Sequence, residues 1–183
     1  MASSLMLEDI KRATRVEDLL AELAGTDVRD LTGREVSVIG RKIEKLRERA
    51  DLRIAYLGSH TLEPLPQYVS VAAAERGIQL AGHVGEFNQY YQEVLGAVGD
   101  LKAFDPQIMV LFLSLRELSP SVSNAFAKLD EKARQAEFDT IVQHVTEWAD
   151  LAVQGSNASL LIANFVTPPA RQAGIADLQD PQG

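Results

Sequence analysis

Four consecutive residues, Gly58-Ser59-His60-Thr61, set a hydroxyl and an imidazole side by side directly after a short apolar run, Ile54 to Leu57. A serine on a tight strand-to-helix turn is a candidate nucleophile when a base lies within hydrogen-bond reach and backbone donors form an oxyanion hole. Adjacent side chains leaving a turn point apart, so a base for Ser59 would come from another loop, and His83 is one candidate. His60 and His83 with Glu63 or Glu86 have the donor types of a His-His-carboxylate metal site. Their spacing matches no established ligand pattern, and no metal is expected. His144, flanked by Gln143 and Glu147, reads as a solvent-facing or capping residue, and of the pair Tyr90-Tyr91 one ring must face inward and one outward. The sequence contains no GxxxxGK(S/T) loop, no GxGxxG turn, no HExxH and no Asp-x-Asp-x-Thr loop, and it has no cysteine.

Residues of this kind need a scaffold, and the pattern from Arg53 onward supplies one. Short apolar runs alternate with helical stretches: strands at Ile54 to Leu57, Ile78 to Val84, Gln107 to Leu113 and Ser159 to Phe165. Between them lie helical segments from Pro64 to Arg76 and from Phe87 to Val98, the latter with Phe87, Tyr91, Val94 and Leu95 on one side. A long helix follows, carrying Phe138, Ile141, Val142, Val145, Trp148 and Ala152 as one stripe. Strands separated by helices argue for βαβ units, hence a three-layer α/β fold with a parallel sheet, whose order is expected to be 2-1-3-4. The last two strands are apolar throughout, as strands covered on both faces should be.

In such a sheet ligands bind beyond the carboxyl ends of the strands. Those ends read Gly58 to Pro64, Gly82 to Tyr90, Ser114 to Pro120 and Asn164 to Pro168. The candidate ligand-contacting residues there are Gly58, Gly85, Glu86, Asn88 and Arg116, with Ser59 and His60 as candidate catalytic groups. Arg116 is the natural partner for a phosphate or carboxylate, because its planar fork pairs with planar anions. Ser59, Thr61, Asn88 and Ser119 have an alternative reading as helix caps.

Residues 1–50 follow a different grammar. Val16, Leu19, Leu20 and Leu23 mark one helix, with a capping-box signature at Thr14 and Glu17. Val36, Ile39, Ile43 and Leu46 mark a second, capped by Thr32 with Glu35. The outer face of the second mixes both signs from Arg41 to Arg49 and reads as a solvated surface. These helices are expected to form an amino-terminal extension to an α/β domain spanning residues 51–183, and they raise a purely structural, dimerisation role as one alternative.

The balance of 18 basic against 26 acidic residues gives a net charge of −8, which argues against binding to a phosphate backbone. The longest apolar run, Ile108 to Leu113, is far short of the ~20 residues that cross a bilayer. No basic segment leads into an apolar stretch at the start, so the chain reads as cytoplasmic. After Phe165 both periodicities stop, and a sheet that ends in a loop directly after a strand is unfinished. A fifth strand is expected to be missing, which makes the chain a piece of a longer protein.

Two resemblances attach to these loops. The strand ending in Gly58-Ser59-His60-Thr61, Gly85 after the second strand and the polar Ser114-Leu115-Arg116-Glu117 after the third resemble the blocks of SGNH, or GDSL-type, hydrolases. In that alignment Ser59 falls on the family's aspartate and His60 on its nucleophilic serine. Arg116 replaces the asparagine, and the late Asp-x-x-His block has no counterpart. The resemblance implies an SGNH- or flavodoxin-like fold, with a GDSL-type esterase or acyl-transfer hydrolase as one functional alternative. More of the chain resembles the amino-terminal part of FkbH-like proteins of the HAD superfamily. The strings are Ile-Ala-Tyr-Leu-Gly-Ser-His-Thr-Leu-Glu-Pro-Leu from Ile54, Val-Gly-Glu-Phe-Asn-Gln-Tyr from Val84, Phe-Asp-Pro-Gln-Ile-Met-Val-Leu-Phe-Leu from Phe104, and Asn164-Phe165-Val166-Thr167-Pro168-Pro169. That resemblance implies a non-hydrolytic SGNH-like front domain joined to a HAD-type phosphatase-like domain. Such proteins load a glyceryl unit from a phosphorylated glycerate onto an acyl carrier protein in polyketide biosynthesis. Any Mg would belong to the downstream domain, and no cofactor is expected in this chain.

Overall fold

The computed structural model describes residues 4–165. Three helices come first, α1 (Ser4–Arg12), α2 (Val16–Leu23) and α3 (Gly33–Leu46), with a 3-10 turn at Val28–Asp30 before the third. Strand β1 (Leu52–Gly58) is followed by α4 (Leu65–Ala74), β2 (Leu80–Val84), α5 (Tyr90–Val94), α6 (Leu101–Phe104) and β3 (Ile108–Phe112). Two short helices, α7 (Leu115–Leu118) and α8 (Pro120–Ala125), lead through a second 3-10 turn to the long α9 (Glu131–Gly155) and to β4 (Ser159–Ile162). The four strands form one sheet in the order β2-β1-β3-β4. All three pairings are parallel, and Ala55 is level with both His83 and Met109.

The alternation of side chains along β1 builds the layers. Ala55 and Leu57 face α5, α6 and α9, where they pack with Tyr90, Leu101, Met109 and the fully buried Trp148. Ile54 and Tyr56 face the other way, against Leu65, Val69 and Ala73 of α4. Helices on both faces of a parallel sheet define the three-layer, flavodoxin-like α/β architecture. Helix α4 carries apolar side chains on two sides because it is covered twice: Val71 and Ala74, away from the sheet, join Ile10, Leu19, Leu23, Val36, Ile39 and Ile43 of the front helices. No helix among the described residues is long and apolar enough to cross a membrane.

The Tyr56 hydroxyl is buried on the α4 side with no hydrogen-bond partner among the described residues, and burial pushes its pKa up to about 12. An unsatisfied buried hydroxyl costs stability, so Tyr56→Phe is expected to stabilise the fold by about 1 kcal/mol in denaturant unfolding. A loss of stability would reveal a partner for that oxygen.

Several expectations from the sequence need correction. Ile78 is not in the second strand; it closes the turn after α4, its N–H bonded to the Ala73 carbonyl at 3.0 Å. The third and fourth strands end at Phe112 and Ile162, short of Leu113 and Phe165. The helix expected from Phe87 begins only at Tyr90, because Asn88 takes a left-handed φ of 57° and interrupts it. Phe87 therefore lies outside the helix and off the side expected to carry Tyr91 and Val94, and it is 62% exposed. Helix α1 had no clear signal, and α2 has Arg15 at its cap with no side-chain bond, so the Thr14–Glu17 box does not form. The Thr32–Glu35 box does form, with both reciprocal bonds present. Strand β4 is not covered on both faces: Leu161 is 54% exposed and Ile162 is also exposed. On α9 only Ile141, Trp148 and Ala152 of the stripe are buried, while Phe138 and Val142 face outward. The expectations for Val166 to Pro169 and for the missing fifth strand lie outside the described residues.

Candidate functional site

The turns leaving β1, β2 and β3 are laced together at the carboxyl end of the sheet. Strand β1 ends at Gly58, where φ is 157° and the chain runs so close to Phe112 that a methyl group would overlap its carbonyl oxygen. Ser59 N–H donates to that same Phe112 oxygen at 2.9 Å. The Ser59 hydroxyl oxygen accepts from the Ser114 N–H at 2.8 Å, binding the first turn to the third. The Gly58 carbonyl accepts from the Asn88 N–H at 3.0 Å, binding the first turn to the second. Gly85 continues the β1–β2 ladder one step beyond the strand, its N–H donating to the Tyr56 carbonyl at 2.9 Å.

This arrangement decides what Ser59 can do. The residue is 6% exposed, and among the described residues no imidazole or carboxylate is hydrogen bonded to its hydroxyl. His60 is exposed and has no hydrogen-bond partner among the described residues, and His83 is engaged elsewhere. A serine with no base and no access is a strut. Hydrolysis of p-nitrophenyl acetate is therefore expected to be equal for the wild type and Ser59→Ala; a rate that falls with the hydroxyl would restore it as a nucleophile.

The structure brings Gly58, Ser59, Gly85 and Asn88 together through backbone bonds, and places Arg116 on α7, directly after the third turn. Arg116 is exposed and makes no ion pair among the described residues, so its guanidinium is available to an anion. Helix α7 is anchored behind it by a carboxylate clamp. Ser119 and Ser121 donate their hydroxyls to the two oxygens of Glu137 on α9, at 2.7 and 2.6 Å. The Ser121 and Ser119 donors hold the Glu137 carboxyl below the usual carboxylate range. Ser119 also caps α8 by accepting from the Val122 N–H at 3.1 Å, which is the capping role the sequence allowed it. Glu86 is exposed at the second turn and contributes its backbone N–H to a different residue, Glu93.

Glu93 is the polar group the sequence did not single out. It is 2% exposed; its Oε1 accepts from the Glu86 N–H at 3.0 Å and its Oε2 lies 3.2 Å from His83 Nε2. The His83 ring rests against Phe104 at 5.4 Å. Gly99, with φ of 67°, closes over the carboxylate where any side chain would collide with it. The acid thus fixes the second turn from below, and His83 pairs with it instead of with Ser59 or Glu63. No group of three or more metal-ligating side chains is assembled among the described residues. His144 is not solvent-facing: its Nε2 lies 2.8 Å from the Tyr90 hydroxyl, and its carbonyl accepts from the Tyr91 hydroxyl at 3.1 Å. Tyr90 is the inward ring of the pair, and Trp148 Nε1 donates to its carbonyl at 3.1 Å.

A cleft of about 580 Å³ opens at the other end of the sheet, between α5, α6 and α9 beneath the amino ends of β3 and β4. Its walls include Leu101, Lys102, Asp105 and Met109, and it shares only Glu93 with the groups that support the second turn. Ligands of open α/β sheets sit at the carboxyl ends, so the laced turns and Arg116 are the candidate site.

The fold and this ledge define a doubly wound α/β module whose strand-end turns are preorganised by backbone bonds. A solved structure is similar to it: the crystal structure of the N-terminal part of the protein BF1531 from Bacteroides fragilis, containing a phosphatase domain and complexed with Mg. The likeness has a TM-score of 0.53 at 16% identity and covers 94% of this chain and 36% of that one. At that identity it establishes the fold, and this chain spans little more than a third of that chain's length. No protein-family model matches the sequence, and no curated protein is significantly similar to it.

Proposed function

We propose that this chain is the SGNH-like front domain of an FkbH-like protein and that its strand-end ledge binds, without hydrolysing, an anionic group of the loading reaction. In this reading the whole protein acts in the cytoplasm and transfers a glyceryl unit from a phosphorylated glycerate to an acyl carrier protein. The phosphoryl chemistry and its Mg belong to a further HAD-type domain, and this chain holds the carrier's arm or the small phosphorylated or carboxylate ligand. One observation carries it: the Ser59 hydroxyl is spent in linking the turns, while Arg116, exposed on the helix after the third turn, makes no ion pair among the described residues. This reading assigns His60, Glu86 and Asn88, which are exposed in the turns after β1 and β2, to the same ledge. The similarity in fold to a chain that contains a phosphatase domain agrees with this reading.

Calorimetric titration of the chain with 3-phosphoglycerate and with a phosphopantetheinylated carrier protein tests it. At least one of the two is expected to bind, and Arg116→Ala is expected to weaken that binding about tenfold, the loss of one charge-assisted contact. Binding of neither, or equal binding by the variant, would overturn the proposal.

A further inference from the structure

One large apolar side chain is held out at the ledge. Within the three turns Phe87 is exposed, whereas Leu62 of the first turn and Leu113 of the third are buried. The turn that carries it is fixed at each step. The Glu86 N–H donates to the buried Glu93 carboxylate at 3.0 Å, and the Gln89 N–H closes back on the Glu86 carbonyl at 3.0 Å. The Asn88 N–H is bound to the Gly58 carbonyl at 3.0 Å. Asn88 takes its left-handed φ of 57° at the third position of this turn, a conformation asparagine tolerates. Gly85, just before, lies so close to Leu57 that a methyl group would overlap that side chain. Phe87 therefore occupies the second position of an anchored turn and is not a frayed start of α5.

The strand order sets how this ring stands to Arg116. Strand β1 lies between β2 and β3, and neighbouring strands are about 4.8 Å apart, so the second and third turns leave the sheet about 10 Å from each other, on either side of the first. Charge differs across that span. Exposed Glu86 adjoins Phe87, whereas exposed Arg116 stands on α7; Glu117 follows it, turned from it by about 100°. An anion is repelled on the β2 side and attracted on the β3 side, and the β2 side offers an aromatic surface instead. A phosphorylated glycerate is polar throughout and shorter than the span. A phosphopantetheine arm has a phosphate at one end and methyl and methylene groups along its length.

We infer that Phe87 is a specificity-determining residue of the ledge, and that the ligand is a carrier's phosphopantetheine arm, phosphate on Arg116 and apolar chain on the Phe87 ring. The inference rests on the proposed function for the ledge as binding surface and deepens it by choosing between its two ligands.

The test is calorimetric titration of the full chain with free 4′-phosphopantetheine, 3-phosphoglycerate and inorganic phosphate. The arm is expected to bind at least tenfold more tightly than inorganic phosphate. Phe87→Ala is expected to weaken the arm about tenfold, and Phe87→Leu, which keeps apolar surface, to recover part of that loss. Inorganic phosphate should bind equally to the wild type and Phe87→Ala. The ring is exposed, so both variants should melt with the wild type by circular dichroism. Arm binding that ignores Phe87→Ala but falls with Arg116→Ala would overturn the inference and leave the ledge standing, as would 3-phosphoglycerate binding as tightly as the arm. Equal weakening of inorganic phosphate by Phe87→Ala would show that the ring acts through the turn, and would overturn its contact with the arm. Failure of the free arm to bind would overturn the inference; the proposed function falls only if 3-phosphoglycerate and the phosphopantetheinylated carrier fail as well.

Discussion

Gly58→Ala is expected to lower the unfolding free energy by at least about 3 kcal/mol. The methyl group would overlap the Phe112 carbonyl oxygen, which is backbone and already accepts from the Ser59 N–H. Relief requires β1 and β3 to separate at their carboxyl ends, which also breaks the Ser114 N–H to Ser59 bond at 2.8 Å. The variant should melt well below the wild type, and its remaining folded fraction should lose ligand binding at the ledge. A melting temperature unchanged within error would show that the turn does not sit as described.

Glu93→Ala has the second largest expected effect, about 3 kcal/mol in the same unfolding measurement. Its removal leaves the Glu86 N–H and the His83 ring nitrogen without their partner inside the protein, beneath Gly85 and Gly99. Glu93→Gln keeps the shape and one carbonyl acceptor, so it should lose less than the alanine variant. A neutral alanine substitution would mean that the carboxylate is not what holds the second turn.

What the sequence disclosed about the fold followed from period and punctuation. The apolar run Ile-Met-Val-Leu-Phe and the glycine closing β1 placed the central strands, and the expected flavodoxin-like fold carried the order 2-1-3-4. The helix phase after β2 was misread because Phe87, Tyr91, Val94 and Leu95 have helical spacing, and nothing in those residues announces that Asn88 turns left-handed. With the phase counted from Tyr90, Glu93 falls at i+3 on the inward side, which is why a charged residue ended up under the second turn. The convergence of the strand-end turns was legible from topology alone. The use of the Ser59 hydroxyl was not, because a serine after a strand has the same spelling whether it attacks a substrate or accepts a neighbour's N–H. The spacing of α3 showed its buried stripe plainly.

The most direct measurement is a backbone-amide NMR titration of the uniformly labelled chain with 3-phosphoglycerate and then with the phosphopantetheinylated carrier. Binding at the ledge predicts that the resonances that move belong to residues 58–60, 85–88 and 114–117, and that Arg116→Ala suppresses those shifts. Shifts confined to the lower cleft, at residues 93–109 and 151–157, would contradict it.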